Sequence, residues 1–204
     1  MRQTIIQFLK RICIRCRRIR HRRGHGVHSP FAFSLLTDVV YEHLPYYAYR
    51  ELRLLESSLH RHYPRRVCRL LFRLANRFQP RQVVEVGVSD GLTLRYLSAG
   101  CSRAVCAAVA DEELLQHKLD GHQQIDLLHI ARTGHYREAF DYGIVRVGER
   151  TLFVIEGIYD SREKREWWQQ VVADERTGVT FDLYDVGLVF FDHTKNKQHY
   201  VVDF

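Results

Sequence analysis

Several things that would narrow the reading at once are missing from this sequence. No run approaches the roughly 18 consecutive apolar residues of a membrane-spanning helix, so no such span is expected. The first apolar stretch, Ile5 to Leu9, carries Gln7 inside it and is followed by no small-residue cleavage site, which excludes a secretory leader of the usual form. The five cysteines are an odd number at irregular spacing, which disfavours a disulfide framework and fits a reducing, cytoplasmic setting. Cys13 and Cys16 form a single CxxC with no second pair. On a helix they fall on the apolar side with Ile5, Leu9, Ile12 and Ile19, so packing is favoured over redox or zinc chemistry. No internal repeat is present. Acidic residues are absent from residues 1–37, which hold nine Lys/Arg.

That last absence reorganises the charge. The chain has 204 residues, 46% hydrophobic and 27% charged, the composition of an ordinary globular protein with a formal charge of +7. Residues 1–80 carry 17 Lys/Arg against 4 Asp/Glu, and residues 81–204 carry 14 against 20, giving +13 and −6. Basicity is therefore a property of one end. Gln3 to Arg23 reads as an amphipathic helix whose apolar stripe is filled in by arginines, and Gly24-His25-Gly26 ends it. Such an arm suits an anionic membrane surface or the docking of a helix, and secondarily nucleic acid. At roughly 1 kcal/mol per basic residue near anionic lipid, it would give reversible attachment to the inner membrane face.

Ser29 and Pro30 open a new helix, expected over Phe31 to Leu44; two more follow at Tyr49 to His60 and Arg65 to Phe78, bounded by Pro64 and Pro80. At Gln82 the pattern changes. Strands are expected near Gln82 to Val86, Ala104 to Ala110, Ile125 to Ile130, Thr151 to Glu156, Thr180 to Tyr184, Gly187 to Phe191 and Gln198 to Val202. Helices are expected at Leu92 to Ala99, Glu112 to Leu119, Tyr136 to Val145 and Ser161 to Asp174. This alternation predicts an α/β domain over residues 81–204 with a mainly parallel sheet, antiparallel at its last strands, after an all-helical extension over residues 1–80.

The stretch Val83-Val84-Glu85-Val86-Gly87-Val88-Ser89-Asp90-Gly91-Leu92-Thr93 carries the chemistry. It is a strand running through an E-x-G-x-x-x-G turn into a helix. Gly87 permits a tight turn and close approach of a ligand, Gly91 lets the helix begin beside the sheet, and Ser89 or Asp90 can cap it. The dinucleotide fingerprint G-x-G-x-x-G is absent, and Glu85 ahead of the first glycine suits a cofactor that presents a cation. Asp111, 20 residues after Gly91, stands where an acid grips a ribose hydroxyl.

This arrangement resembles the first motif of class I S-adenosylmethionine-dependent methyltransferases. Three further stretches extend the likeness over most of residues 24–204: residues 26–33 (GVHSPFAF), residues 158–168 (IYDSREKREWW) and residues 180–191 (TFDLYDVGLVFF). Together they resemble a group of bacterial methyltransferase-like proteins with a basic helical N-terminus. The resemblance implies a Rossmann-like methyltransferase sheet and S-adenosylmethionine as cofactor, contacted by Glu85, Gly87, Ser89, Gly91 and Asp111. The methyl acceptor and the oligomeric state it leaves open.

Two departures qualify it. Only fourteen residues, Asp111 to Gln124, separate the second strand from the strand at Ile125, whereas a helix, a third strand and another helix need about 30 or more, so the third strand is expected to be missing. The sheet domain is correspondingly short, some 124 residues where about 150 is common. Relatives often carry an acid after the strand at Ile125 that holds a metal, in the pattern Asp-Gly-x-His. This chain reads Ala131-Arg132-Thr133-Gly134-His135, which removes an oxygen ligand, and no metal is expected. His135 is the candidate general base, with Glu156 its candidate partner. A hydrogen-bonding or helix-capping role for either is the plainer alternative. The other histidines lack ligand spacing, and Trp167 and Trp168 read as core, one on the sheet and one over an edge. Methyl transfer to an unidentified acceptor is the functional expectation. A non-catalytic scaffold on a shortened methyltransferase fold, attached to membrane or polyanion by its arm, is the alternative.

Overall fold

The computed structural model describes residues 27–58, 63–87, 91–109 and 124–204. The basic arm, the CxxC and the helix expected at Glu112 to Leu119 lie outside the described residues. Among the described residues chain order begins with α1 (Pro30–Leu35), where Ser29 caps and Pro30 occupies the first turn. A single π turn, Leu36–Val40, continues it, and the helix stops there rather than at Leu44. The reason is Arg73, buried at 7% exposure, whose guanidinium takes the carbonyls of Val39 (2.5 Å) and Val40 (3.2 Å) that further helical turns would need. Tyr41 then donates its hydroxyl to the Asp203 carbonyl at 2.6 Å, directing the chain away. Two more helices follow, α2 (Ala48–Ser58) and α3 (Arg65–Phe78). The latter ends on Gln79 in the left-handed conformation, ahead of Pro80.

The strands are β1 (Gln82–Val86), β2 (Val105–Val109), β3 (Leu127–Ile130), β4 (Leu152–Glu156), β5 (Thr180–Asp182), β6 (Val186–Phe190) and β7 (His199–Val201). Among the described residues the helices between them are α4 (Leu92–Gly100), α5 (Tyr136–Ile144) and α6 (Arg162–Ala173). Among the described residues the sheet order is β2-β1-β3-β4-β6-β5-β7. β2, β1, β3 and β4 run parallel, β6 is antiparallel to β4 and to β5, and β7 returns parallel beside β5. The antiparallel end arises where no helix separates successive strands. β2 forms the opposite edge, with Val105 59% exposed, and among the described residues no strand lies beyond it.

Strand alternation sends residues to two covered faces. Val83, Leu127, Val154, Phe181 and Leu188 pack with Leu35 of α1 and with Leu70, Leu71 and Leu74 of α3 in one core, so the helices of residues 30–78 share their interior with the sheet. Val84, Leu128, Ile130, Phe153 and Ile155 pack on the other side with Phe140 of α5 and Trp167 and Trp168 of α6. Both tryptophans are buried there. Trp167 meets Tyr136 and Phe140, and Trp168 lies directly over Gly187 of β6, while its ring also stands 6.3 Å from that of His199 on the edge strand β7. A third cluster, Tyr49, Leu52, Cys68, Phe72, Leu92 and Tyr96, fastens α2 to α3 and α4.

Candidate functional site

The parallel strands β1, β3 and β4 all end on one side of the molecule, the place where open α/β sheets take ligands. β1 leaves the sheet through Gly87, at φ +122°, whose N–H donates to the Val109 carbonyl at 2.9 Å. A Cβ on Gly87 would stand 3.1 Å from Cβ of Ala131 and 3.2 Å from that of Thr133, in the connection leaving β3. Glycine is needed here for both conformation and space. Gly91, at φ +81°, is the N-cap residue of α4, and a Cβ there would meet no described atom within 4 Å. The two glycines bracket the turn from β1 to the N-terminus of α4, the candidate cradle for a ligand. Ser89, Asp90 and Asp111 lie outside the described residues.

Glu85 does not stand alone at the end of β1. It is wholly buried, and its Oε2 is 2.8 Å from Nδ1 of His129 on β3, its register partner. Nε2 of His129 is in turn 3.1 Å from Oε1 of Glu156, the last residue of β4. The three side chains form a row across three neighbouring strands on the sheet face covered by α3. Both ring nitrogens face carboxylates, and only an imidazolium carries a proton on each. Burial works against that charge, but the hydrogen bonds the ring donates to Glu156 and Glu85, and their charges, outweigh it, raising the His129 pKa from 6.5 to about 9.

A second tier of charge surrounds Glu156. Its Oε2 is 3.8 Å from Nε of Arg132, whose Nη1 also binds Asp160 at 2.5 and 2.6 Å. Lys164, 4% exposed, donates to the Glu156 backbone carbonyl at 2.8 Å and lies over the Tyr136 ring at 4.8 Å. Burial pushes its ammonium down to about 8. Ser161 caps α6 by accepting from the Lys164 N–H at 3.0 Å, which sets that lysine at the end of β4.

His135 sits at the N-cap position of α5, half-buried, with its backbone N–H donating to Thr133 Oγ1 at 3.1 Å and no side-chain cap bond. It shares the ligand end of the sheet with Gly87. Glu156, however, is held by His129 and Arg132, so the structure pairs that carboxylate with a different histidine from the one expected. His129 is the residue that sequence reasoning missed. Its signal was a lone polar side chain in the apolar run Leu127-Leu128-His129-Ile130, in the strand that pairs with the one bearing Glu85. Ala131, where the resemblance leads one to expect an acid, is 2% exposed, and among the described residues no group of three or more His, Cys, Asp and Glu is arranged to hold a metal.

No family model and no curated relative matches the chain. Solved structures do. An O-methyltransferase from Bacillus cereus in complex with SAH superposes with a TM-score of 0.51 at 14% identity, covering 77% of this chain and 96% of that one. An SAH-bound methyltransferase from Podospora anserina gives 0.56 at 9% identity, over 79% and 93% of the two chains. The Streptomyces achromogenes O-methyltransferase involved in tomaymycin synthesis, in complex with SAM, gives 0.53 at 14% identity, over 79% and 94%. At these identities the likeness is one of architecture, and it agrees with the strand order, the antiparallel end and the glycine turn after β1: the chain has the class I methyltransferase fold.

Proposed function

We propose that this chain transfers a methyl group from S-adenosylmethionine to an acceptor not yet identified. The observation that carries the reading is the turn between Gly87 and Gly91, two positive-φ glycines at the carboxyl end of β1 and the N-terminus of α4, in a fold shared with SAH- and SAM-bound proteins. When bound, the cofactor would supply an electrophilic methyl on sulfur. The protein's part is to seat it and align the acceptor. Gly87 and Gly91 allow close approach of the ligand, and Ser89 and Asp111 are the further contacts that the motif spacing suggests. Glu85 supplies negative charge below the cradle. His135, half-buried at the same end, is the candidate acceptor base, and Ala131 in place of an acid favours a reaction without a bound metal ion. The basic arm would hold the protein against an anionic membrane surface or a nucleic acid.

Titration calorimetry and thermal shift with S-adenosylmethionine and S-adenosylhomocysteine test the reading. Heat and a concentration-dependent rise in melting temperature are expected. Neither signal at millimolar ligand would sink it and leave a scaffold on the same fold.

A further inference from the structure

Glu85, His129 and Glu156 are a charged row inside a sheet, where each ion would be costly alone. Register places Glu85 opposite His129, and His129 opposite Val154, so Glu156 lies one diagonal further along the same face. Two carboxylates joined only by a neutral side chain would not both stay ionised, and one would take a proton. An imidazolium between them keeps both charged, fixes their rotamers through its two N–H groups, and leaves the row with one net negative charge. That row ends on Glu85, two residues before Gly87. Titratable groups near the row are Cys106 on β2, whose thiol is pushed up by burial and by its neighbours Cys101 and Glu85; Arg132 after β3, 3.8 Å from Glu156 and paired with Asp160; and Lys164 on α6, which donates to the Glu156 backbone carbonyl.

We propose that His129 is a positioning residue, a buried imidazolium that holds Glu85 ionised two residues ahead of Gly87, so that affinity for a cofactor presenting an ammonium group depends on the charge of a side chain the cofactor does not touch. The inference rests on the methyltransferase reading for its ligand. Its geometry does not. His129 acts through Glu85, and Glu156 anchors the far side of the ring, which makes three strands contribute to one electrostatic unit.

The test uses the full chain, labelled with 15N-histidine, and S-adenosylhomocysteine as probe. Long-range 1H–15N spectra at pH 7.5 should show both His129 nitrogens protonated, with the ring losing a proton only near pH 9. Calorimetry from pH 7 to 10 should show wild-type affinity falling through that range. His129→Gln should bind roughly tenfold or more weakly at pH 7, the usual scale for losing an orienting partner. It should also lack that step, because Gln does not titrate, and its profile should keep only the titration of the ligand's amine and of Lys164. Should His129→Gln fail to fold, Glu156→Gln keeps the Glu85–His129 pair, and its ring should deprotonate at lower pH with a parallel shift in the binding profile. A neutral wild-type ring at pH 7.5, or profiles that coincide between wild type and variant, would overturn the proposal. Absence of binding by wild type, with a doubly protonated ring, would instead overturn the methyltransferase reading and with it the role of the row in binding.

Discussion

Gly87 and Gly91 both hold positive φ, +122° and +81°, yet their surroundings differ, and the difference separates stability from binding. A methyl on Gly87 presses on Ala131 and Thr133 in a conformation that L residues rarely adopt, so Gly87→Ala should lose roughly 2–4 kcal/mol of stability as well as any ligand. A methyl on Gly91 meets no described atom within 4 Å. Gly91→Ala should carry the left-handed penalty, about 1–2 kcal/mol, and place a methyl group at the α4 N-cap beside the cradle. Urea denaturation paired with calorimetry checks both: a folded Gly91→Ala chain that binds S-adenosylhomocysteine like wild type would remove the cradle from the site. His129 makes a further prediction in the absence of ligand. Its folded pKa, about 9, lies above the ordinary 6.5, so the folded chain binds more protons between those values. The stability it contributes is complete below pH 6.5 and lost as pH climbs through 9. The span corresponds to on the order of 3 kcal/mol. Lys164, lowered to about 8, has the opposite sign and adds stability as pH rises above that value. The difference between wild-type and His129→Gln denaturation from pH 6 to 9.5 isolates the histidine, and a difference that does not shrink with pH would show the ring to be neutral.

Between elements, the tightest joint is the crossing of α3 and α4. A Cβ on Gly100 would lie 2.3 Å from the Phe72 carbonyl oxygen and 2.9 Å from Cβ of Ala75, and backbone cannot yield as a side-chain tip can. Gly100→Ala should force the helices apart at roughly 1–3 kcal/mol, lowering the melting temperature by about 2–4 °C for each kcal/mol. Gly134→Ala, where a Cβ would meet no described atom within 4 Å, is the matched control and should fall within about 0.5 kcal/mol of wild type. Elements of this kind were largely legible in the sequence, because apolar periodicity and proline or glycine punctuation are local signals. α3 and β1 carry the expected bounds, and α6 differs by one residue at each end. The helix expected to reach Leu44 was misjudged for a long-range reason, since Arg73, more than thirty residues away, takes its last carbonyls. The site divides in the same way. Glu85, Gly87 and Gly91 were readable from spacing within one turn, whereas the pairing of Glu85 with His129, and of His129 with Glu156, depends on which strands become neighbours and in what register.

For the molecule as a whole, the division of charge sets the remaining prediction. Residues 1–37 bring nine Lys/Arg and no acid, and residues 81–204, at −6, repel the polyanions that the arm would attract. Among the described residues no helix is long and apolar enough to cross a membrane. An amphipathic basic helix binds anionic lipid through two terms, charge and apolar burial, and salt removes only the first. Raising the salt from 0.1 to 1 M shortens the screening length from about 10 to about 3 Å. The full chain should therefore sediment with vesicles of phosphatidylcholine and phosphatidylserine at 0.1 M salt, release most of its bound fraction at 1 M, and retain a remainder through Ile5, Leu9, Ile12 and Ile19. A chain lacking residues 1–23 should stay in the supernatant at both. Binding to RNA should instead vanish at 1 M, because counterion release has no apolar component to leave behind. Complete release from lipid at high salt together with tight RNA binding at low salt would assign the arm to nucleic acid, and equal behaviour with and without residues 1–23 would discard both partners.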